Sequence, residues 1–226
     1  MDATRSDQSR SSTLIDRRSL LAHAGAAMVA LATLAATPAA QAAGANDPTA
    51  PIQQLDTALL ASMRAGQSTP FAQRYAMLAP AVEQAFDLNA LLRGAVGFSW
   101  MSLAPNQQAA LASAFERYTV SNYAANFDSY NGQSFRVLPE TRRLPNGELI
   151  VHTQIIRPNK SPVEIDYVMR MTVAGWKAVD VLTDGTISQV AVQRSDFGQL
   201  LASGGAPALQ AGLQRKVATL SDGALA

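Results

Sequence analysis

The chain has 226 residues, a formal net charge of +1, no cysteine, and hydrophobic residues at 48% of its positions. Without cysteine, disulfide stapling, thiolate nucleophiles and cysteine-based metal sites are excluded, so stability must come from packing. A charge so close to zero argues against nucleic acid, or an anionic membrane surface, as the main partner.

The first forty residues read as a targeting segment. Arg17 and Arg18 precede an uncharged run from Leu20 to Ala36, and Ala40-Gln41-Ala42 forms a small-residue cleavage signal. The order predicts a signal peptide over residues 1–42, of the twin-arginine or the ordinary secretory type, and hence an exported, periplasmic protein. His23, Gly25 and Thr33 interrupt the run, which falls short of the roughly 20 strongly apolar residues of a spanning helix. Residues 43–51 are turn-rich and read as a flexible lead-in, followed by a single domain over 52–226.

Helical periodicity opens that domain. Ile52, Leu55, Leu59 and Met63 recur at three- and four-residue spacing, predicting a helix from Ile52 to Ala65 that Gly66 ends. A second helix is expected from Pro70 to Phe86, interrupted or bent near Pro80. Asp87 is placed to cap a third, from Leu88 to Val96, ended by Gly97. Pro105 opens the longest helical run, to about Tyr130. Its Leu111, Phe115, Tyr118 and Asn122 define one face, and Val120, Tyr123 and Phe127 a neighbouring one. A helix with aromatics on two faces is expected to contact two things.

After Asn131-Gly132 the period changes to alternation. Strands are predicted at Ser134–Leu138, Glu148–Arg157, Val163–Thr172 and Trp176–Thr183, separated by turn-rich clusters. Short turns between consecutive strands make an antiparallel meander. Val163, Ile165, Tyr167, Met169 and Met171 share one face, which must be covered. Thr186-Ile187-Ser188-Gln189 matches a capping box that opens a helix to about Ser203, and after Gly204-Gly205 a last helix begins at Ala206-Pro207. The expected fold class is α+β. An antiparallel meander of about four strands is covered on one face by N- and C-terminal helices that enclose an apolar pocket.

No catalytic constellation stands out. His152, the single histidine after residue 42, sits on a strand, and scattered carboxylates around one histidine make a poor metal site. No metal and no cofactor are expected. An enzymatic alternative would use Asp166 or Asp180 as a base tuned by an apolar pocket. A further alternative is a protein-binding adaptor with no internal cavity.

The residues in order resemble a known family. Phe86-Asp87-Leu88, Gly97-Phe98-Ser99-Trp100 leading into Pro105-Asn106-Gln107-Gln108, and Tyr123 carry the first half. Tyr130-Asn131-Gly132, Pro162-Val163, Tyr167, Gly175 to Val181, Gly185, Ser188, Arg194 and Phe197 carry the second. In that order and spacing they are similar to the MlaC-like, toluene-tolerance family of periplasmic lipid-binding proteins. The Asp184 to Ser188 run and the Arg194-Ser195-Asp196-Phe197 ending look more like its hopanoid-associated branch, HpnM. The resemblance implies a soluble carrier, not an enzyme, that holds a hopanoid or phospholipid. It also implies exchange of that lipid with an inner-membrane ABC transporter complex and an outer-membrane lipoprotein complex.

Such a carrier needs a long apolar cavity, because exposing an acyl chain to water costs about 0.8 kcal/mol per methylene. The candidate lining residues are Phe115, Tyr118, Phe127, Val151, Ile165, Tyr167, Met169, Val181 and Ile187. Arg194 is the tenth candidate, since it recurs with Ile187, Val190, Ala191, Gly198 and Leu201 on the apolar stripe of its helix. Either it bonds a core carboxylate such as Asp180, the preferred reading, or it reaches a lipid headgroup at the pocket mouth.

Overall fold

The structure is a computed structural model and describes residues 47–225. Arg17, Arg18 and the cleavage signal at Ala42 lie outside the described residues.

Helix α1 spans Ala50–Ala65, so the lead-in ends two residues earlier than expected. The Asp47 carboxylate accepts from the backbone N–H and the hydroxyl of Thr49, both at 2.8 Å, and Pro51 occupies the first turn, where its missing N–H is no loss. Helix α2 spans Phe71–Ala85 and runs through Pro80 without a break, so of the two expected outcomes there, interruption or bend, the interruption does not occur. Pro80 is exposed, and the carbonyl it leaves unbonded is not trapped in the core. Helix α3 spans Leu88–Val96, with the Asp87 carboxylate accepting from the Ala90 N–H at 2.9 Å. It ends at Gly97, whose φ of 67° suits glycine. A 3-10 helix over Gly97–Ser102 leads to helix α4, Pro105–Asn126.

Five strands follow: β1 at Ser134–Arg143, β2 at Leu149–Arg157, β3 at Lys160–Thr172, β4 at Gly175–Thr183 and β5 at Ile187–Ser188. Their spatial order is β1-β2-β3-β4-β5 with every pair antiparallel, the meander that short turns dictate. β1 is twice its expected length, continuing past an irregularity between Val137 and Thr141.

The extra strand comes from Asp184-Gly185. Both residues have positive φ, 50° and 68°, and the Thr186 N–H bonds the Thr183 carbonyl at 3.3 Å. That is a two-residue hairpin, for which Asp-Gly is a favoured pair. It folds Ile187 and Ser188 back onto Thr183 and Leu182. Helix α5, Gln189–Leu220, therefore starts later than the capping box placed it. Its cap is Ser188, whose hydroxyl accepts from the Ala191 N–H at 3.0 Å. Gly204 and Gly205 leave helical geometry and divide α5 into two pieces, at the place the glycine pair predicted.

The main core lies between the helices and one face of the sheet. It joins Ile52, Leu55, Leu59, Leu78, Leu92, Leu111, Phe115, Phe197, Leu209 and Leu213 to Val151, Tyr167, Met169 and Ala178. A smaller cluster of Ile150, Val168 and Val179 covers part of the opposite face. The sheet is tied to the helices where Phe86 bridges Ala178 and the Asp87 N–H donates to the Ala178 carbonyl at 2.9 Å. Nearby, the Lys177 ammonium donates to the carbonyls of Glu83 and Gln84 at 2.7 and 3.1 Å, a cation at the C-terminal end of α2.

A candidate lipid cavity between sheet and helices

A cavity of about 420 Å³ lies between the covered face of the sheet, helix α4 and the first turns of α5. Its floor follows from strand register. Thr153, Ile165 and Thr183 stand opposite one another on β2, β3 and β4, and Tyr167 stands opposite Val181 one step along. Alternation turns all five, with Ile155, to the same side. Its roof is α4, where Phe115, Tyr118, Thr119, Asn122, Tyr123, Asn126 and Phe127 recur at helical spacing. Gln189, Val190 and Gln193 of α5 close one side, while Phe86, Leu91 and Phe135 complete the wall.

The wall is rich in aromatic contacts. Phe86 and Tyr123 lie 5.7 Å apart by ring centroid, Tyr123 and Phe127 5.9 Å, Phe127 and Phe135 5.9 Å, and Phe86 and Tyr167 6.1 Å. These are favourable separations for tilted or offset rings. Phe115 also meets Phe197 edge-on at 6.1 Å, and that contact fixes the roof against α5.

The end of α4 that carries Tyr123 and Phe127 is held from behind. Buried Arg74 of α2 donates to the Ala124 carbonyl, and the Ser62 hydroxyl of α1 donates to the Phe127 carbonyl at 3.0 Å. The last carbonyls of a helix have no partner within it, so these two donors satisfy groups that would otherwise be left unpaired. α4 does meet two surroundings, but its aromatics do not divide between them as their two faces suggested. Leu111, Val120 and Ala124 are buried in the core, while Phe115, Tyr118, Tyr123 and Phe127 face the cavity.

No lining residue is charged. Two of the polar lining groups are satisfied within the wall. The Thr153 hydroxyl donates to the Ile165 carbonyl, and the Gln189 amide donates to the Thr183 hydroxyl at 2.9 Å. Asn122 and Asn126 are exposed and mark the opening. The interior suits hydrocarbon, and the amides at its mouth suit a hydrogen-bonding group.

Behind the cavity, Asp56 of α1 is 8% exposed, and burial pushes its carboxyl up from 3.8 to about 7. It raises the hydroxyls of Tyr123 and Tyr167, which burial has already pushed well above their ordinary value. These phenols stay neutral.

Six of the ten candidate lining residues stand on the cavity wall: Phe115, Tyr118, Phe127, Ile165, Tyr167 and Val181. Four do not. Val151 and Met169 point to the same side of the sheet but are fully buried in packed core, farther along their strands. Ile187 is half exposed on β5. Arg194 is also exposed; its Nε donates to the Gly94 carbonyl at 2.9 Å, at the C-terminal end of α3. Its expected partner is engaged elsewhere. Asp180 accepts from the Ser188 hydroxyl at 2.5 Å and from the Val190 N–H at 3.1 Å, so it secures the start of α5 instead.

Neither candidate base reaches the cavity. Asp166 is buried on the other face of the sheet, with its Oδ2 2.8 Å from Nδ1 of His152, the residue opposite it in register. Among the described residues no cluster of histidine and carboxylates is suited to a metal ion. A wider groove of about 550 Å³ runs on the outside between α4 and the second half of α5, past Arg117, Gln214 and Leu225. The sheet contributes nothing to it, and it has no wall of aromatic rings.

Sequence reasoning missed Phe86, Leu91, Tyr123, Phe135, Thr153, Ile155 and the α5 residues Gln189, Val190 and Gln193 as wall residues. Thr153 and Ile155 carried a usable signal, since they share strand parity with Val151. Phe86 and Phe135 come from segments whose approach to α4 depends on tertiary packing.

Two comparisons bear on these features. Among solved structures the chain is similar to the phospholipid-binding protein from Ralstonia solanacearum, determined in complex with a phospholipid. The TM-score is 0.67 at 19% identity, over 77% of this chain and 99% of that one. At this identity the likeness establishes the α+β fold of sheet and flanking helices. The family model described as MlaC protein matches residues 53–215, which run from α1 through the whole sheet into the last helical piece. The chain belongs to the MlaC family.

Proposed function

We propose that the protein is a lipid carrier that holds the apolar part of a membrane lipid in the cavity beneath α4. The observation that carries this reading is the cavity itself: about 420 Å³, with no charged lining residue, walled by rings and branched side chains, and with Thr153, Thr183 and Gln189 hydrogen-bonded within the wall. Burying hydrocarbon there is favourable by about 0.8 kcal/mol per methylene, and release requires no bond to be broken. The bound phospholipid of the Ralstonia solanacearum protein supports a phospholipid as cargo. A hopanoid is the second reading, supported by the resemblance of the Asp184 to Ser188 and Arg194 to Phe197 runs to the hopanoid-associated branch.

Membership of the MlaC family supports a periplasmic location for this carrier. Among the described residues no helix is long and apolar enough to cross a membrane. In our reading the protein exchanges its lipid between an inner-membrane ABC transporter complex and an outer-membrane complex, without catalysing a reaction. The test is transfer of a fluorescent phospholipid from donor to acceptor vesicles. The protein should accelerate transfer in proportion to its concentration, and no acceleration with any phospholipid or hopanoid would refute carriage.

A further inference from the structure

The uncharged cavity opens beside a second, charged depression. A groove of about 490 Å³ between α4 and the second piece of α5 shares two wall residues with the cavity, Tyr118 and Asn122. Its other polar walls are Thr219 and the cations Arg215 and Lys216. The Lys216 ammonium sits 5.7 Å from the centre of the Tyr118 ring, over a residue that also faces the cavity. Its one carboxylate neighbour in ion-pair range is Asp196, at a long 3.8 Å. Arg215 is exposed and has no hydrogen-bond or ion-pair partner among the described residues.

This juxtaposition has a chemical meaning. A lipid whose tails lie in the cavity presents its polar end at the mouth, where Asn122, with Tyr118 beside it, also walls the groove. The groove offers the Thr219 hydroxyl, a guanidinium with its donors unspent, and an ammonium whose one ion pair among the described residues is long and solvent-exposed. That set is suited to a phosphate, which accepts charge-assisted hydrogen bonds from both cations. An exposed contact at 3.8 Å is weak, so an incoming phosphate loses little by displacing Asp196. Arg194, by contrast, has its Nε committed to the Gly94 carbonyl.

We propose that the groove between α4 and the second piece of α5 is the headgroup subsite. Lys216 and Arg215 bind the phosphate of a glycerophospholipid there while its tails lie in the cavity. This rests on the carrier reading above and narrows it to an anionic cargo.

The test is competitive loading of the full chain with phosphatidylglycerol and with diacylglycerol of the same tails, read by native mass spectrometry. Wild type should favour phosphatidylglycerol by roughly fivefold to tenfold, the product of two modest exposed contacts. In the double variant R215Q/K216Q that preference should vanish, while diacylglycerol loading and the melting temperature stay unchanged. A preference that survives in the double variant, or is absent from wild type, overturns the subsite while leaving the carrier reading intact. Failure of wild type to load either lipid overturns glycerophospholipid carriage, and the subsite with it. sn-Glycerol 3-phosphate serves as the tail-less probe. If it binds wild type as tightly as phosphatidylglycerol does, the groove is a site for soluble phosphate and the headgroup assignment falls.

Discussion

The Nε of Arg194 donates to the carbonyl of Gly94 at 2.9 Å, joining α5 to the end of α3 across 100 residues of sequence. α5 also packs tightly on Gly94, since a Cβ there would stand 2.9 Å from Val190, a cavity-wall residue. The arginine therefore holds the helix that closes the cavity, and holds it from outside. A cation bonded at a helix C-terminus is worth about 1 kcal/mol when exposed. Arg194→Ala should lower the urea midpoint accordingly while leaving lipid per folded molecule unchanged. Loss of lipid at unchanged stability would restore the headgroup role to Arg194.

Filling the cavity should act the opposite way. Ile165 and Val181 are partly exposed on its floor, so a larger ring at either position enters empty space and not packed core. Ile165→Trp and Val181→Trp should each reduce lipid recovered by extraction several-fold, with melting temperatures close to that of wild type. Undiminished recovery in both variants would remove the floor of β3 and β4 from the binding site.

Met169 lies one strand-face step beyond Tyr167 and is fully buried. Met169→Ala should cost about 2–5 kcal/mol, as expected for truncation in a packed core. Occupancy of the molecules that remain folded should not fall. A stable Met169→Ala protein that had lost its lipid would show that the cavity extends further along the strands.

The raised carboxyl of Asp56 predicts a pH dependence with a definite sign. Its value is about 7 in the folded protein, against 3.8 unfolded. Between these values the folded state binds the extra proton, so stability is full below about pH 4 and declines as pH rises toward 7. The slope is at most about 1.4 kcal/mol per pH unit. Asp56→Asn should remove this component and be more stable than wild type at pH 8. Chemical denaturation at pH 5 and pH 8 would show it, and identical pH slopes in the two proteins would contradict the assignment.

How much of this was legible in the sequence depended on the range of the interactions involved. Local signals were reliable: the Asp87 cap, the ending at Gly97, the break at Gly204-Gly205, and the common face of Ile165, Tyr167 and Met169 all follow from neighbours in the chain. Asp184-Gly185 was also a local signal, but the capping-box pattern at Thr186 competed with it, and the hairpin prevailed because β5 adds ladder pairing to an open edge of β4. The boundary between cavity and core was not legible. Met169 and Ile165 have the same parity, and only the distance at which α4 crosses the sheet decides which of them meets a void. The partner of Arg194 was hidden for a similar reason. Stripe position fixed its direction, but the backbone carbonyl it meets depends on how α3 and α5 pack.

Carriage is decided by organic extraction of the full-length protein from its native host, followed by mass spectrometry. Close to one membrane lipid per protein molecule should be recovered, a phospholipid or a hopanoid, retained through purification and depleted by Ile165→Trp. Protein that is folded, carries its cavity intact and yields no lipid would contradict it.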